Sequence, residues 1–351
     1  MSDEKTKKRI PVKRWIALAL IGLGIFFGFL GPAVMRPIRP VVLMAAEELG
    51  AIGGFPITNT MVATLVADLA LLVVAFITWR LIRGGGGWAP AGFYGVVEWI
   101  IEFLWNMSEG TAGKWARRIF PWMATIFLLV FAANLTKLIP GYESIGFIKE
   151  AHVEAQGIAV RLFGEVYGLR PLTAQEAANA KEAPAAQGET AGEESAGAGE
   201  KSLEGLPAEV VPALRGAATD LNFTLALALV AMFMVQVFGV WSLGLKYFEK
   251  FFYFRGLVAG DIFRAIDFGV GLLELISEFG KVLSFTFRLF GNIFAGALLL
   301  SIIGTLTVAV VPAGIYLFEV FVAVIQAYVF SLLALVFMTQ ATVGHHGEEH
   351  A

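Results

Sequence analysis

The sequence predicts an all-α, polytopic membrane protein, and two observations carry that expectation. Of its 351 residues 57% are hydrophobic and only 16% charged, with a mean hydropathy of +0.73, which is too apolar for a soluble domain of this length. The apolar residues also gather into about six runs long enough to cross roughly 30 Å of hydrocarbon at about 1.5 Å per residue. They lie near 15–35, 60–81, 119–139, 222–243, 282–311 and 314–339.

The first run follows Lys7, Lys8, Arg9, Lys13 and Arg14. Residues 1–14 therefore read as a basic cytoplasmic N-terminus, and 15–35 as either an extra transmembrane helix or a cleavable signal peptide. Both readings put residue 36 outside. Arg80, Arg83, Lys114, Arg117 and Arg118 cluster in one short connection, and Lys246, Lys250 and Arg255 in another. Lysine and arginine accumulate on the cytoplasmic side, so both connections and the tail 341–351 are expected there.

Residues 60–140 are expected to hold transmembrane helices with a further helix, 93–107, between them, entered through the glycine joint 84–87. In it Val96, Val97, Ile100, Ile101, Leu104 and Trp105 alternate with Glu98, Glu102 and Asn106 at helical spacing. That pattern fits a helix lying on the membrane surface, or a partly buried soluble helix. Residues 141–218 carry about twice as many acidic as basic side chains, and from Gln175 to Lys201 almost no bulky apolar ones. This segment is expected to be an external, acidic, largely disordered loop. A transmembrane helix over 219–244 and a helical hairpin over 258–340 complete the chain.

Several chemistries are argued against. With Cys 0 there is no disulfide, thiolate nucleophile or cysteine-ligated metal. His345, His346 and His350 read as a solvated tail rather than a metal site, and His152 stands apart in the acidic loop. No metal and no cofactor is expected. The net charge of -3 gives nucleic acid nothing to bind. A phosphate-cradling loop needs Gly-Lys-Ser/Thr after its glycines; the nearest string, Gly197 to Ser202, has Glu200 directly before Lys201. Direct nucleotide binding is therefore not expected.

The most informative stretch is 271–304, an apolar helix bearing Glu274, Glu278, Lys281, Ser284, Arg288 and Asn292. Glu274, Lys281 and Arg288 are seven residues apart, Glu278 lies four after Glu274, and Asn292 four after Arg288. All fall near one helical face, a polar stripe roughly 27 Å long. An arginine in hydrocarbon costs about 3 to 17 kcal/mol, so it either faces a functional partner or wet cavity, or sits near the end and snorkels to headgroups. Gly291, Ala295, Gly296 and Ala297 follow it and permit close helix approach. The last run adds Glu319 and Gln326, seven residues apart. A single buried carboxyl there reads as structural and protonated; opposite a helix carrying Arg288 and Asn292 it reads as part of a proton relay.

The string Arg288-Leu289-Phe290-Gly291-Asn292-Ile293-Phe294-Ala295-Gly296 closely resembles the signature of subunit a of F-type ATP synthases. Gln326-Ala327, the run from Asn134 to Pro140, and Asn222 continue the resemblance, which is strong from about Gly271 onward and moderate over 60–140 and the fourth span. It is absent from the first 55 residues and the acidic loop.

The resemblance implies a non-catalytic, ion-translocating subunit whose long, tilted C-terminal hairpin faces a rotating ring of subunit c. Its other expected partners are the subunit b stalk and membrane lipid. It implies that Arg288 faces the ring carboxylate, that Glu274, Lys281 and Ser284 fall on a cytoplasmic half-channel, and that Asn292, Glu319, Gln326 and Asn134 fall on an outer one. It also implies a multi-pass protein of the bacterial plasma (inner) membrane with a cytoplasmic C-terminus, moving H+, with Na+ left open. The chemistry agrees. A guanidinium keeps its charge, holds a passing carboxylate ionised and blocks protons from hopping straight across. Ala297 and Lys137 depart from the family, which often has an ionisable residue and an acid there, so Glu319 becomes the main titratable group of the outer path. A secondary transporter would show repeats or broken helices, and none is evident; a mere scaffold would leave the polar stripe unexplained.

Overall fold

The computed structural model describes residues 22, 46–83, 92–139, 142–143, 146–150, 157–163, 166–170, 207–251, 262–307 and 310–343. The expected first span apart from residue 22, the glycine joint at 84–87, the four histidines and most of the tail lie outside them. The described chain is mostly helical: α1 (Asn59–Arg83), α2 (Phe93–Ala112), α3 (Ala116–Thr136), α4 (Leu221–Leu243), α5 (Ile262–Leu306) and α6 (Val310–Ala341). Among the described residues five helical stretches are long and apolar enough to cross a membrane: Asn59–Arg83, Tyr94–Thr136, Leu221–Leu243, Gly269–Gly304 and Val311–Ala341.

The chain divides into two compact units. One comprises Met44–Ile145, Pro212–Ala295 and Val320–Ala351. Among the described residues its larger buried cluster is contributed by α2, α3, α4, α5 and α6, including Leu104, Met123, Phe127, Phe238, Phe285, Leu289, Phe330 and Met338. Between membrane helices lipid is as apolar as leucine, so close fit rather than exclusion of water holds helices together. Small residues provide that fit. Ala67 of α1 is buried with Ala133 of α3, and Ala228, Ala231, Ala327 and Ala334 are almost inaccessible. Aromatic edges finish the contacts: Phe285 and Phe330 meet at 4.8 Å and 83°.

Local signals explain the helix ends. A hairpin of β1 (Glu48–Ile52) and β2 (Phe55–Thr58) leads into α1. Gly53 and Gly54 form its two-residue turn with φ of 61° and 85°, angles that only glycine adopts at little cost. Asp220 caps α4, its Oδ1 accepting from the Asn222 N–H at 2.9 Å. Gly244 stops the same helix at φ 64°. The expected surface helix 93–107 is longer, and joins α3 through a single tight turn at Gly113–Trp115. It packs Ile100, Leu104 and Met107 inward and leaves Val96, Trp99 and Phe103 exposed.

The other unit comprises Met1–Leu43, Gly146–Val211 and Gly296–Glu319. It holds structure where the acidic loop led us to expect little. The strands β3 (Gly146–Glu150), β4 (Gly157–Phe163), β5 (Val166–Arg170) and β6 (Pro207–Pro212) form a sheet in the order β3-β6-β4-β5. β4 pairs antiparallel with β5, Ile158 opposite Arg170 and Arg161 opposite Tyr167. The physical reason is local: Ile158, Val160, Val166, Val210 and Val211 are β-branched residues in short runs. The most acidic part of the segment, 171–206, lies outside the described residues.

Candidate functional site

The polar stripe on α5 resolves into distinct groups. Leu289, Ile293 and Phe285 form the buried face of this helix. Arg288 is half-buried beside them, and Ser284, Asn292 and Ala295 along its own face are exposed, with Gly291 half-exposed. The guanidinium donates to Ser284 Oγ at 3.3 Å and stands 5.8 Å from the Phe285 ring centre. Arg288 thus occupies a strip of small side chains that the described chain does not cover.

One turn further, Asn292 Nδ2 donates to Gln326 Oε1 at 2.7 Å, joining α5 to α6 across 34 residues of sequence. Gln326 is 3% exposed, and its Nε2 makes no hydrogen bond among the described residues. Asn134, near the end of α3, is fully buried with both amide atoms likewise unengaged. Amides so placed can each accept and donate one more hydrogen bond.

On the other side of Arg288, Lys281 Nζ pairs with Glu278 Oε1 at 2.9 Å. Glu278 is 8% exposed, and its second oxygen accepts from Gln236 Nε2 of α4 at 3.4 Å. Tyr247, in the turn Gly244–Lys250, donates its hydroxyl to Gln236 Oε1 at 2.8 Å. Lys281 also lies 5.0 Å from the Phe337 ring centre. Glu274 is half-exposed one turn earlier on α5.

Glu319 is 6% exposed and sits against Gly296, where a Cβ would overlap its Oε1. Gly296, expected to permit close helix approach, leaves the space that this carboxyl group occupies. Gly291 carries no such neighbour, since a Cβ there would meet nothing within 4 Å.

Sequence reasoning marked Arg288, Asn292, Glu319, Gln326, Asn134, Glu274, Lys281 and Ser284, with Glu278 on the same stripe. It missed Gln236, Tyr247 and the buried Asp220, which accepts from Thr60 Oγ1 of α1 at 2.9 Å. A glutamine in the middle of an otherwise apolar helix was the available signal for Gln236. Nothing in the sequence pointed to Tyr247, which reaches Gln236 by folding back over Gly239. Of the two departures, Ala297 is half-buried on α5 and Lys137 packs its stem against Gly216. Among the described residues no group of histidines and carboxylates could hold a metal ion.

Residues 60–339 match the family model described as ATP synthase A chain. Among curated relatives, "ATP synthase subunit a" of Moorella thermoacetica is 25% identical over 311 residues, 89% of this chain and 100% of that one. "ATP synthase subunit a" of Mycobacterium bovis is 35% identical over 134 residues, 36% of this chain and 48% of that one. A relative from Propionigenium modestum, named "ATP synthase subunit a, sodium ion specific", is 24% identical over 303 residues, 86% of this chain and 79% of that one.

Proposed function

The chain belongs to the ATP synthase A chain family, a multi-pass membrane subunit of the F0 sector, and on that premise we propose that it conducts protons between its own helices and a rotating ring of subunit c. The observation that carries this reading is Arg288: a permanent charge on a membrane-length helix, half-buried, flanked by small and polar residues on a strip that the described residues leave open. A neighbouring helix can approach such a strip closely.

A ring carboxylate arriving opposite Arg288 would be held ionised by the guanidinium, because an opposite charge nearby favours the charged form. It could accept a proton only after leaving that position. Asn292, Gln326, Asn134 and Glu319 serve the outer route, and Glu274, Lys281 and Ser284 the cytoplasmic one, with the C-terminus on the cytoplasmic side. Because the two routes open on opposite sides of the arginine, a proton must ride the ring almost a full turn to cross. Each charge crossing contributes about 2.3 kcal/mol per 100 mV, so several are summed through rotation. The subunit b stalk holds this chain still, and nucleotide chemistry belongs to other subunits of the complex.

The transported ion is a proton in this reading. The complex carrying this chain, purified and reconstituted in sodium-free vesicles, should acidify the lumen on addition of ATP, seen as ACMA quenching. ATP-driven uptake of radiolabelled sodium, with quenching suppressed as sodium is added, would assign Na+ instead.

A further inference from the structure

Lys281 poses a problem for any cation route along α5, because an uncompensated ammonium raises the local potential against an incoming proton. The structure supplies a counter-charge. Glu278 Oε1 binds Lys281 Nζ at 2.9 Å, and the carboxylate is itself gripped from a second helix by Gln236 Nε2 at 3.4 Å. Gln236 is fixed in turn, since its Oε1 accepts from Tyr247 at 2.8 Å. Tyr247 is 2% exposed. Its ring lies so close to Gly239 that a Cβ there would stand 2.7 Å from Cδ2 and nearer still to Cζ and Cε2. Each member of this chain thus locks the next into one position, from Gly239 to the carboxylate.

An amide between the phenol and the carboxylate is a poor carrier of protons but a good clamp, because its N–H donor and C=O acceptor cannot exchange roles. We propose that Glu278 is a positioning residue of the ion route, held by Gln236 and Tyr247 so that it cancels the charge of Lys281 and leaves Arg288 as the fixed positive charge of the stripe. The inference rests on the proposed ion-conducting role of α5. Among the described residues, Lys281 and Glu274 on its own helix and Tyr247 in the turn after α4 are titratable groups near Glu278; from α4 itself Gln236, which does not titrate, meets it.

Replacing Glu278 by glutamine keeps its shape and removes its charge. With one negative charge lost, the route becomes more positive, proton loading weakens, and half-maximal ATP-driven pumping moves to lower pH, by about one unit for a charge roughly 10 Å from the loaded group. The experiment is ACMA quenching as a function of pH with purified complexes carrying wild type, Glu278→Gln, Tyr247→Phe and Arg288→Ala. Glu278→Gln is expected to shift the midpoint downward, and Tyr247→Phe, which only loosens the clamp, to shift it less in the same direction. If Glu278→Gln does not assemble, the Tyr247→Phe profile decides alone. An unmoved midpoint, or one moved upward, overturns the inference. Pumping by Arg288→Ala would instead overturn the ion-conducting reading beneath it, so the two failures are distinct.

Discussion

The carboxyl group of Glu319 fills the space that a side chain at position 296 would need: a Cβ on Gly296 would overlap its Oε1 and lie 3.2 Å from its Cδ. Glycine at 296 and glutamate at 319 therefore specify one another. Either the acid moves or the helices part if the glycine gains a methyl group, and overpacking of this kind costs about 1 to 3 kcal/mol. Gly296→Ala is expected to lower ATP-driven pumping at least several-fold, in complexes whose subunit content is checked by gel. Wild-type pumping would show that the carboxyl is not held where it now lies.

Glu319→Gln keeps that packing and removes only the ability to titrate. Coupled flow is expected to fall about tenfold or more, in keeping with loss of one positioned proton-transfer group. Initial quenching rates at fixed ATP hydrolysis measure this. Unchanged rates would leave Glu319 a packing group.

Asp220 joins two helices, accepting from the Asn222 N–H at 2.9 Å and from Thr60 Oγ1 at 2.9 Å. Asp220→Ala loses a helix cap and strands a buried hydroxyl, together about 2 kcal/mol. Thermal unfolding of the purified complex should show a lower midpoint, with a smaller drop for Thr60→Val. Equal midpoints in all three would mean that the cap adds nothing to the assembled protein.

Tyr142 follows α3, outside the membrane-spanning stretch. Burial pushes its hydroxyl above the ordinary value of 10.0, Glu143 adding to this and the Thr136 side chain opposing it. The folded form thus holds its proton where the unfolded chain has begun to lose it. Its contribution is complete below about pH 10 and is lost as pH rises beyond that. Tyr142→Phe should flatten the alkaline limb of a stability profile measured by thermal unfolding from pH 9 to 11. A limb that keeps its slope would assign the alkaline loss to other groups.

Much of the fold was legible because membrane helices announce themselves by length and apolarity alone, as the stretches now seen at Asn59–Arg83, Leu221–Leu243 and Val311–Ala341 illustrate. The stripe on α5 was legible for a related reason: charges at seven-residue spacing must share a face. The short strands of β3 to β6 were not, since runs of five to seven residues inside a strongly acidic segment carry little signal against its composition. The bond between Asn292 and Gln326 was expected only as two polar groups on adjacent helices, and its 2.7 Å geometry depends on how those helices pack. Tyr247 was out of reach because its role arises from a chain reversal at Gly244, where φ is 64°, and not from any pattern in the residues themselves.

The most direct test of a fixed charge opposite a moving ring is ATP-driven ACMA quenching by the assembled complex carrying Arg288→Ala. The expected result is no quenching at all, with the subunit present in normal amount. Quenching at the wild-type rate would contradict the role assigned to Arg288.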